Sequence, residues 1–366
     1  MKMPAEAIRE EIRKCGAISF VRFMELALYC PETGYYEKKK DNVGRAGDFV
    51  TSVSVGSLFG ELLAFQFLEW LDELKNSSHL PLKIIEAGSH DGKLAADILN
   101  WLQLHRPKFF SQIEYWILEP SSNRQAWQKE TLKQFAPRVL WFENFENLKF
   151  KIKNSKPTGI FFSNELLDAF PVHRLGWDAQ KKIWFEWGVT LTGENFVWTR
   201  LPQPTLPLSI LHLPSSLLEV LPDGYTVETS PAAECWWREA AGTLQHGKLM
   251  TIDYGFTDAE IFSPARTRGT LRAYHRHHVT DDILANPGEQ DLTAHVNFSA
   301  IQKAGEAAGF KTENFCTQPQ FLTQILGKAV KEKTFSSLDA RRIRQFQTLT
   351  HPEHLGRAFR VLVQSR

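Results

Sequence analysis

Cysteine is scarce in this chain and never clustered. Cys15, Cys30, Cys235 and Cys316 lie far apart, with no C-x-x-C pair among them. That spacing excludes a disulfide framework and a cysteine-built zinc site, and it fits a reducing compartment. An excess of charge of one sign is also missing. Lys+Arg 43 against Asp+Glu 42 gives a formal net charge of +1, so no whole-chain attraction to nucleic acid is expected. No run of about eighteen apolar residues occurs, which argues against a transmembrane helix. The N-terminal segment carries Glu6, Glu10 and Glu11 and no apolar stretch, unlike a secretory signal or a transit peptide. The expectation is a soluble cytoplasmic protein with no nucleic-acid partner and no membrane insertion.

What is present suits a large α/β unit with insertions, or a core plus a smaller domain: 366 residues, 43% hydrophobic and 23% charged. The 11 Trp and 26 Phe imply an extensive aromatic core, with an aromatic-lined cleft as the lesser alternative. The segment from Leu82 through Glu86, Ala87, Gly88, Ser89, His90, Asp91 and Gly92 to Leu94 reads as a buried strand ending in an acid, a turn between two glycines, and a helix. It places a carboxylate and bare backbone N–H groups at the carboxyl end of a parallel strand, where open α/β sheets hold ligands. A second apolar strand, Tyr115 to Leu118, also ends in an acid, Glu119, suited to a ribose diol.

Strands are expected at 82–87, 114–119, 138–142 and 159–163, with helices at about 91–104 and 121–134. This βαβα rhythm predicts a parallel sheet covered by helices on both faces. Upstream, residues 4–30 predict two short helices broken near Gly16, with Ser19 as N-cap of the second, and Ser57 to Leu74 shows helical apolar spacing. Residues 172–213 break the rhythm with antiparallel strand patterns and then a proline-rich loop. A helix at 231–244 and a strand at 248–255 follow, then an irregular His/Arg-rich stretch at 256–296. A helix at 298–308, a strand at 311–316 and a final strand at 357–363 complete the pattern.

No G-x-G-x-x-G follows the first strand, which ranks an NAD-linked oxidoreductase low, and no P-loop Lys-Ser/Thr follows either. An acid just before a wider turn suits a nucleoside cofactor without pyrophosphate, such as S-adenosylmethionine (SAM). A third strand, Gly159 to Ser163, runs directly into Asn164, Glu165 and Asp168. A helix cap explains one of these polar groups but not all three, so they are expected to project into the same cleft as Glu86 and Glu119.

The ordered set of motifs resembles the MidA-like family of class I SAM-dependent methyltransferases, relatives of the mitochondrial complex I assembly arginine methyltransferase. The resemblance runs from Gly16–Phe20 and Gly34–Tyr36 through Gly47–Ser52, Glu86–Leu94, Glu119–Ser121 and Asn164–Pro171 to Ile252–Gly255, Gly269–Leu271 and Asp291–Phe298. It implies a class I, Rossmann-like α/β fold with an N-terminal helical extension and an inserted antiparallel β/helical subdomain. The division expected is 1–80 for the extension and cofactor lid, 81–171 for the first half of the core, 172–230 for the insertion and 231–366 for the second half. Two departures stand out: His90 replaces a glycine of the family's turn, and Val53-Ser54 replaces Pro-Glu. A side chain at position 90 removes some of the unobstructed surface that glycine offers a cofactor.

The cofactor set implied is Glu86, Gly88, Ser89, Gly92, Leu94, Glu119 and Ser121, with Gly47, Asp48, Thr51 and Ser52 as a lid. The resemblance also implies a protein arginine acceptor. Glu165 and Asp168 are the candidates to hold its guanidinium, Asn164 to orient it, and His295 to take the proton. No metal is expected: His275, His277 and His278 are interleaved with arginine and lack the spacing of a zinc site. The alternative is a catalytically idle SAM-fold protein serving as an assembly or interaction factor.

Overall fold

The structure, a computed structural model, describes residues 3–38, 51–75, 82–153, 155–207, 215–275, 278–335, 338–357 and 359–366. Gly47 and Asp48 lie outside the described residues. The central sheet is built on β1 (Lys83–Ala87), β2 (Glu114–Leu118), β3 (Val139–Phe142), β4 (Thr158–Asn164), β5 (His246–Phe256), β6 (Lys311–Thr317) and β7 (Phe359–Ser365). Their order across the sheet is 3-2-1-4-5-7-6, and a short strand, Val296–Asn297, joins β5 at its end. Pairs β1–β2, β1–β4, β2–β3 and β4–β5 are parallel, whereas β7 runs antiparallel to both neighbours. Chain order reverses between β1 and β4, so the carboxyl ends of these two strands flank the crevice where such sheets bind ligands.

Strand periodicity assigns the two faces of the core. Ile84, Tyr115 and Ile117 meet the helices Leu58–Lys75, Lys93–His105 and Gln318–Lys331 on one side. Ile85, Trp116 and Leu118 meet Pro231–Thr243 and Phe298–Ala307 on the other. Both faces being covered explains why β1 is buried at every position, including Lys83, which pairs with Glu114 at 3.0 Å.

The N-terminal helices Pro4–Cys15 and Phe20–Tyr29 form a separate core with the insertion and with residues 271–294, through Ile8, Phe20, Phe23, Val189 and Leu292. Ser19 stands at the expected N-cap, but its side chain makes no capping hydrogen bond. The insertion is an antiparallel sheet of His173–Asp178, Ile183–Thr192, Asn195–Arg200 and Thr226–Thr229, extended by Ile18–Ser19. Residues 256–296, expected to be irregular, instead contain a small antiparallel sheet with Arg272–His275 between His278–Thr280 and Asp291–Thr293. These strands are too short for alternation to show, and polar residues occupy half their length. Two helices, Gln318–Lys331 and Ala340–Thr350, occupy a stretch with no expected element.

Candidate active site

The turn after β1 is held by backbone conformation. Gly88, His90 and Gly92 adopt φ of +77°, +47° and +84°, so three of five residues are left-handed. An L-residue at His90 costs about 1–2 kcal/mol there, which explains why a glycine suits that position. The His90 side chain is 44% exposed beside Asp91, and its carbonyl accepts a hydrogen bond from Gln128 Nε2 at 3.0 Å. At Gly88 a Cβ would come within 3.0 Å of Leu166, so this glycine lets the turn pack on the Asn164–Asp168 loop. The Ser89 hydroxyl is buried with no hydrogen bond of standard geometry, although it lies close enough to lower the pKa of Glu86. Leu94 packs into the core beneath the turn.

Glu86 is 2% exposed, and burial pushes its carboxyl from 4.5 up to about 7, against the pull of the Tyr115 hydroxyl, which donates to Oε2 at 2.5 Å. Glu119, just past β2, is equally buried and is also pushed upward by burial. It accepts from the Ser121 N–H and from Gln128 Nε2, both at 3.0 Å, and Arg124 Nε lies 3.3 Å away. Ser121 caps the helix Ser122–Thr131 and donates to Glu37 Oε2 at 2.7 Å. Glu37 is also 3.7 Å from Arg124.

On the other side of the crevice, β4 ends at Asn164, and Glu165 follows with φ +51°. The Glu165 N–H donates to the Ile252 carbonyl at 2.9 Å, the last rung between β4 and β5. Its Oε1 accepts from Asn164 Nδ2 and from the Ser52 N–H, both at 3.1 Å. Burial pushes Glu165 up to about 8. Thr51 caps the short helix Ser52–Val55, so Thr51 and Ser52, expected on the cofactor, here support Glu165. Asn164 Oδ1 is buried without a partner.

Asp168 belongs to a larger acidic set than sequence reasoning singled out. Burial, Asp253, Asp291 and Glu165 all raise its pKa. Asp253, in β5, is fully buried, and Asp291 accepts from the Tyr36 hydroxyl at 2.7 Å. Asp253 follows the buried, mostly apolar run Leu249–Ile252 as Glu86 and Glu119 follow theirs, a signal that would have identified it. Among the described residues no cluster of His, Cys, Asp and Glu is arranged to hold a metal ion.

His295 is not part of this acidic set. It stacks on Phe256 with ring centroids 4.7 Å apart, and its Nδ1 lies 3.4 Å from the Thr270 carbonyl. Burial lowers its pKa to about 4, so the ring is neutral and a weak base.

Residues 62–316 match the family described as "Putative S-adenosyl-L-methionine-dependent methyltransferase". The chain belongs to this family. A Burkholderia thailandensis protein solved with bound S-adenosyl-homocysteine is similar to it across 99% of this chain and 92% of that one, at 31% identity and a TM-score of 0.83. Among curated proteins, the mitochondrial protein arginine methyltransferase NDUFAF7 of Danio rerio is 27% identical over 96% of this chain and 84% of its own. The Drosophila melanogaster homologue is 26% identical over 98% and 84%. This member of the family is a SAM-dependent methyltransferase with the class I Rossmann-like fold, and the crevice between β1 and β4 fits the cofactor chemically. Two buried acids close adjacent strands, and Asn164 Oδ1 is a buried polar atom with no hydrogen-bond partner.

Proposed function

We propose that this methyltransferase modifies a protein arginine side chain, with the cofactor held by the turn after β1 and by Glu119. The observation that carries the acceptor is the acidic set: Glu165, Asp168, Asp253 and Asp291, from three separate segments, influence one another in one buried region. A guanidinium is a planar, delocalised cation with five N–H donors, and carboxylates match it in charge and in bidentate geometry. The names of the curated relatives favour the same acceptor. A reducing cytoplasmic setting is proposed with it, consistent with four free cysteines.

Bound SAM supplies an electrophilic methyl group: the S–CH3 bond breaks as the N–CH3 bond forms, and sulfur keeps the electron pair. The protein aligns the acceptor nitrogen with that methyl and receives the proton the nitrogen gives up. Glu165, once the entering cation has displaced the proton that burial favours on its carboxyl, is the group suited to accept it. Asn164, whose amide already donates to Glu165, has its Oδ1 free to take an acceptor N–H. Glu119 offers the ribose diol an acceptor once Arg124 moves aside.

The test is transfer of labelled methyl from SAM into an extract of cells lacking this protein, followed by amino-acid analysis of the labelled fraction. Label in methylated arginine, lost in Glu165→Ala and Asp168→Ala, is the expected result. Label confined to another residue type would refute the arginine assignment, and no label in any fraction would favour the assembly-factor alternative.

A further inference from the structure

We propose that Asp253 is the positioning residue of the acceptor site: it anchors the Asn164–Asp168 loop by its backbone and keeps Asp168 as a protonated acid until a cationic side chain displaces the proton. The inference rests on the arginine-acceptor reading above.

The geometry begins where the sheet ends. Ile252 makes the last rung with Glu165, and beyond it the chain leaving β4 turns away from β5. The next amides therefore have no strand partner. Asp253 Oδ2 takes both, accepting from the Leu166 N–H at 3.1 Å and from the Leu167 N–H at 2.7 Å. Its Oδ1 accepts from the Tyr254 N–H at 2.8 Å. One fully buried carboxylate thus fixes two consecutive peptide groups of the loop that carries the acceptor-holding acids.

The Asp168 carboxyl lies close enough to the same carboxylate for Asp253 to raise its pKa. Of two carboxylates sharing a buried site, one keeps its proton to a higher pH. Burial pushes Asp253 up to about 7, against three amide donors that favour its charge. Asp168 instead faces acids: Glu165 on its own loop, Asp253 on β5 and Asp291 on the small sheet. The phenols of Tyr29 and Tyr36 from the N-terminal part, and of Tyr254 and Tyr274, feel its charge as well. The cations that reach this group, Arg124 and Arg272, act on Tyr29 and Tyr274. The proton therefore resides on Asp168. When a guanidinium enters, the Asp168 O–H bond breaks, the proton leaves to solvent, and the carboxylate pairs with the cation.

The test is calorimetry of the full chain, saturated with S-adenosyl-homocysteine, titrated with ethylguanidinium in buffers of different ionisation enthalpy. Wild type should release about one to two protons per ligand at pH 7, from Asp168 and Glu165. Asp168→Asn should release fewer protons than wild type, the remainder coming from Glu165. Asp253→Asn keeps an acceptor for the loop amides and removes the neighbouring charge, so S-adenosyl-homocysteine affinity should hold while proton release falls by about half or more. Asp253→Ala should weaken ethylguanidinium binding about tenfold. Wild-type binding without proton release, or Asp253→Asn releasing as much as wild type, would overturn this proposal and leave the arginine reading intact. No ethylguanidinium binding at all would overturn both.

Discussion

Replacing Tyr115 by Phe tests whether Glu86 is held near neutrality by burial and a single phenolic hydrogen bond. Glu86 is 2% exposed, its carboxyl is raised from 4.5 to about 7, and the Tyr115 hydroxyl is its one side-chain donor of short geometry, at 2.5 Å. A folded pKa above the unfolded value means that the contribution of Glu86 to stability is complete below about 4.5 and is lost as pH rises through about 7. The hydrogen bond offsets part of that loss, because it favours the anion. A bond to a charged acceptor is worth about 1.5–3 kcal/mol, and one to a neutral acid about 1 kcal/mol. The variant should therefore lose about 1 kcal/mol at pH 5.5 and about 2–3 kcal/mol at pH 8.5. Urea unfolding of both proteins at each pH measures this, with all other titrations common to the pair. A loss that is equal at the two pH values, or larger at pH 5.5, would refute the reasoning.

Two further expectations concern the crevice. Gly92→Ala places a Cβ 3.3 Å from Gln128 Cα and from Leu132 Cδ1 at a φ of +84°. It should cost about 2–4 kcal/mol by thermal unfolding and, by displacing Gln128 from Glu119, weaken S-adenosyl-homocysteine binding in calorimetry. His295→Gln should keep most methyl transfer, because a ring lowered to about 4 by burial is neutral at working pH. A loss of the roughly hundredfold or more seen on removing a general base would restore His295 as the proton acceptor.

The first strands of the main sheet were legible because Lys83–Ala87, Glu114–Leu118 and Val139–Phe142 are short apolar runs with an acid at or just past their ends, a pattern set by burial on both faces. The positions of Glu86 and Glu119, proposed to face the cofactor, were legible for the same reason: they belong to strand ends, where local sequence and position in the fold coincide. The acceptor half was legible only in part. Asn164, Glu165 and Asp168 announce themselves after β4, but the contact of Asp253 with them depends on the pairing register of β4 with β5, which no local pattern encodes. Asp291 arrives on a three-residue strand whose pairing with Tyr274 and Ala273 is equally invisible locally. His90 looked like an obstruction when judged by its side chain, whereas its backbone angle identifies the requirement at that position.

The three-residue turn Tyr35–Glu37 has a consequence for how the enzyme is loaded. Tyr36 reaches Asp291 in the acceptor half, while Glu37, its immediate neighbour, reaches Ser121 and Arg124 in the cofactor half. A single peptide unit therefore spans the two compartments. Any rearrangement of Arg124 on ribose binding acts on the same short segment that steadies Asp291. Thermodynamic linkage makes such a crosspiece symmetrical: the factor by which cofactor alters acceptor affinity equals the factor by which acceptor alters cofactor affinity. Residues 35–37 are then where such coupling would pass between the two halves.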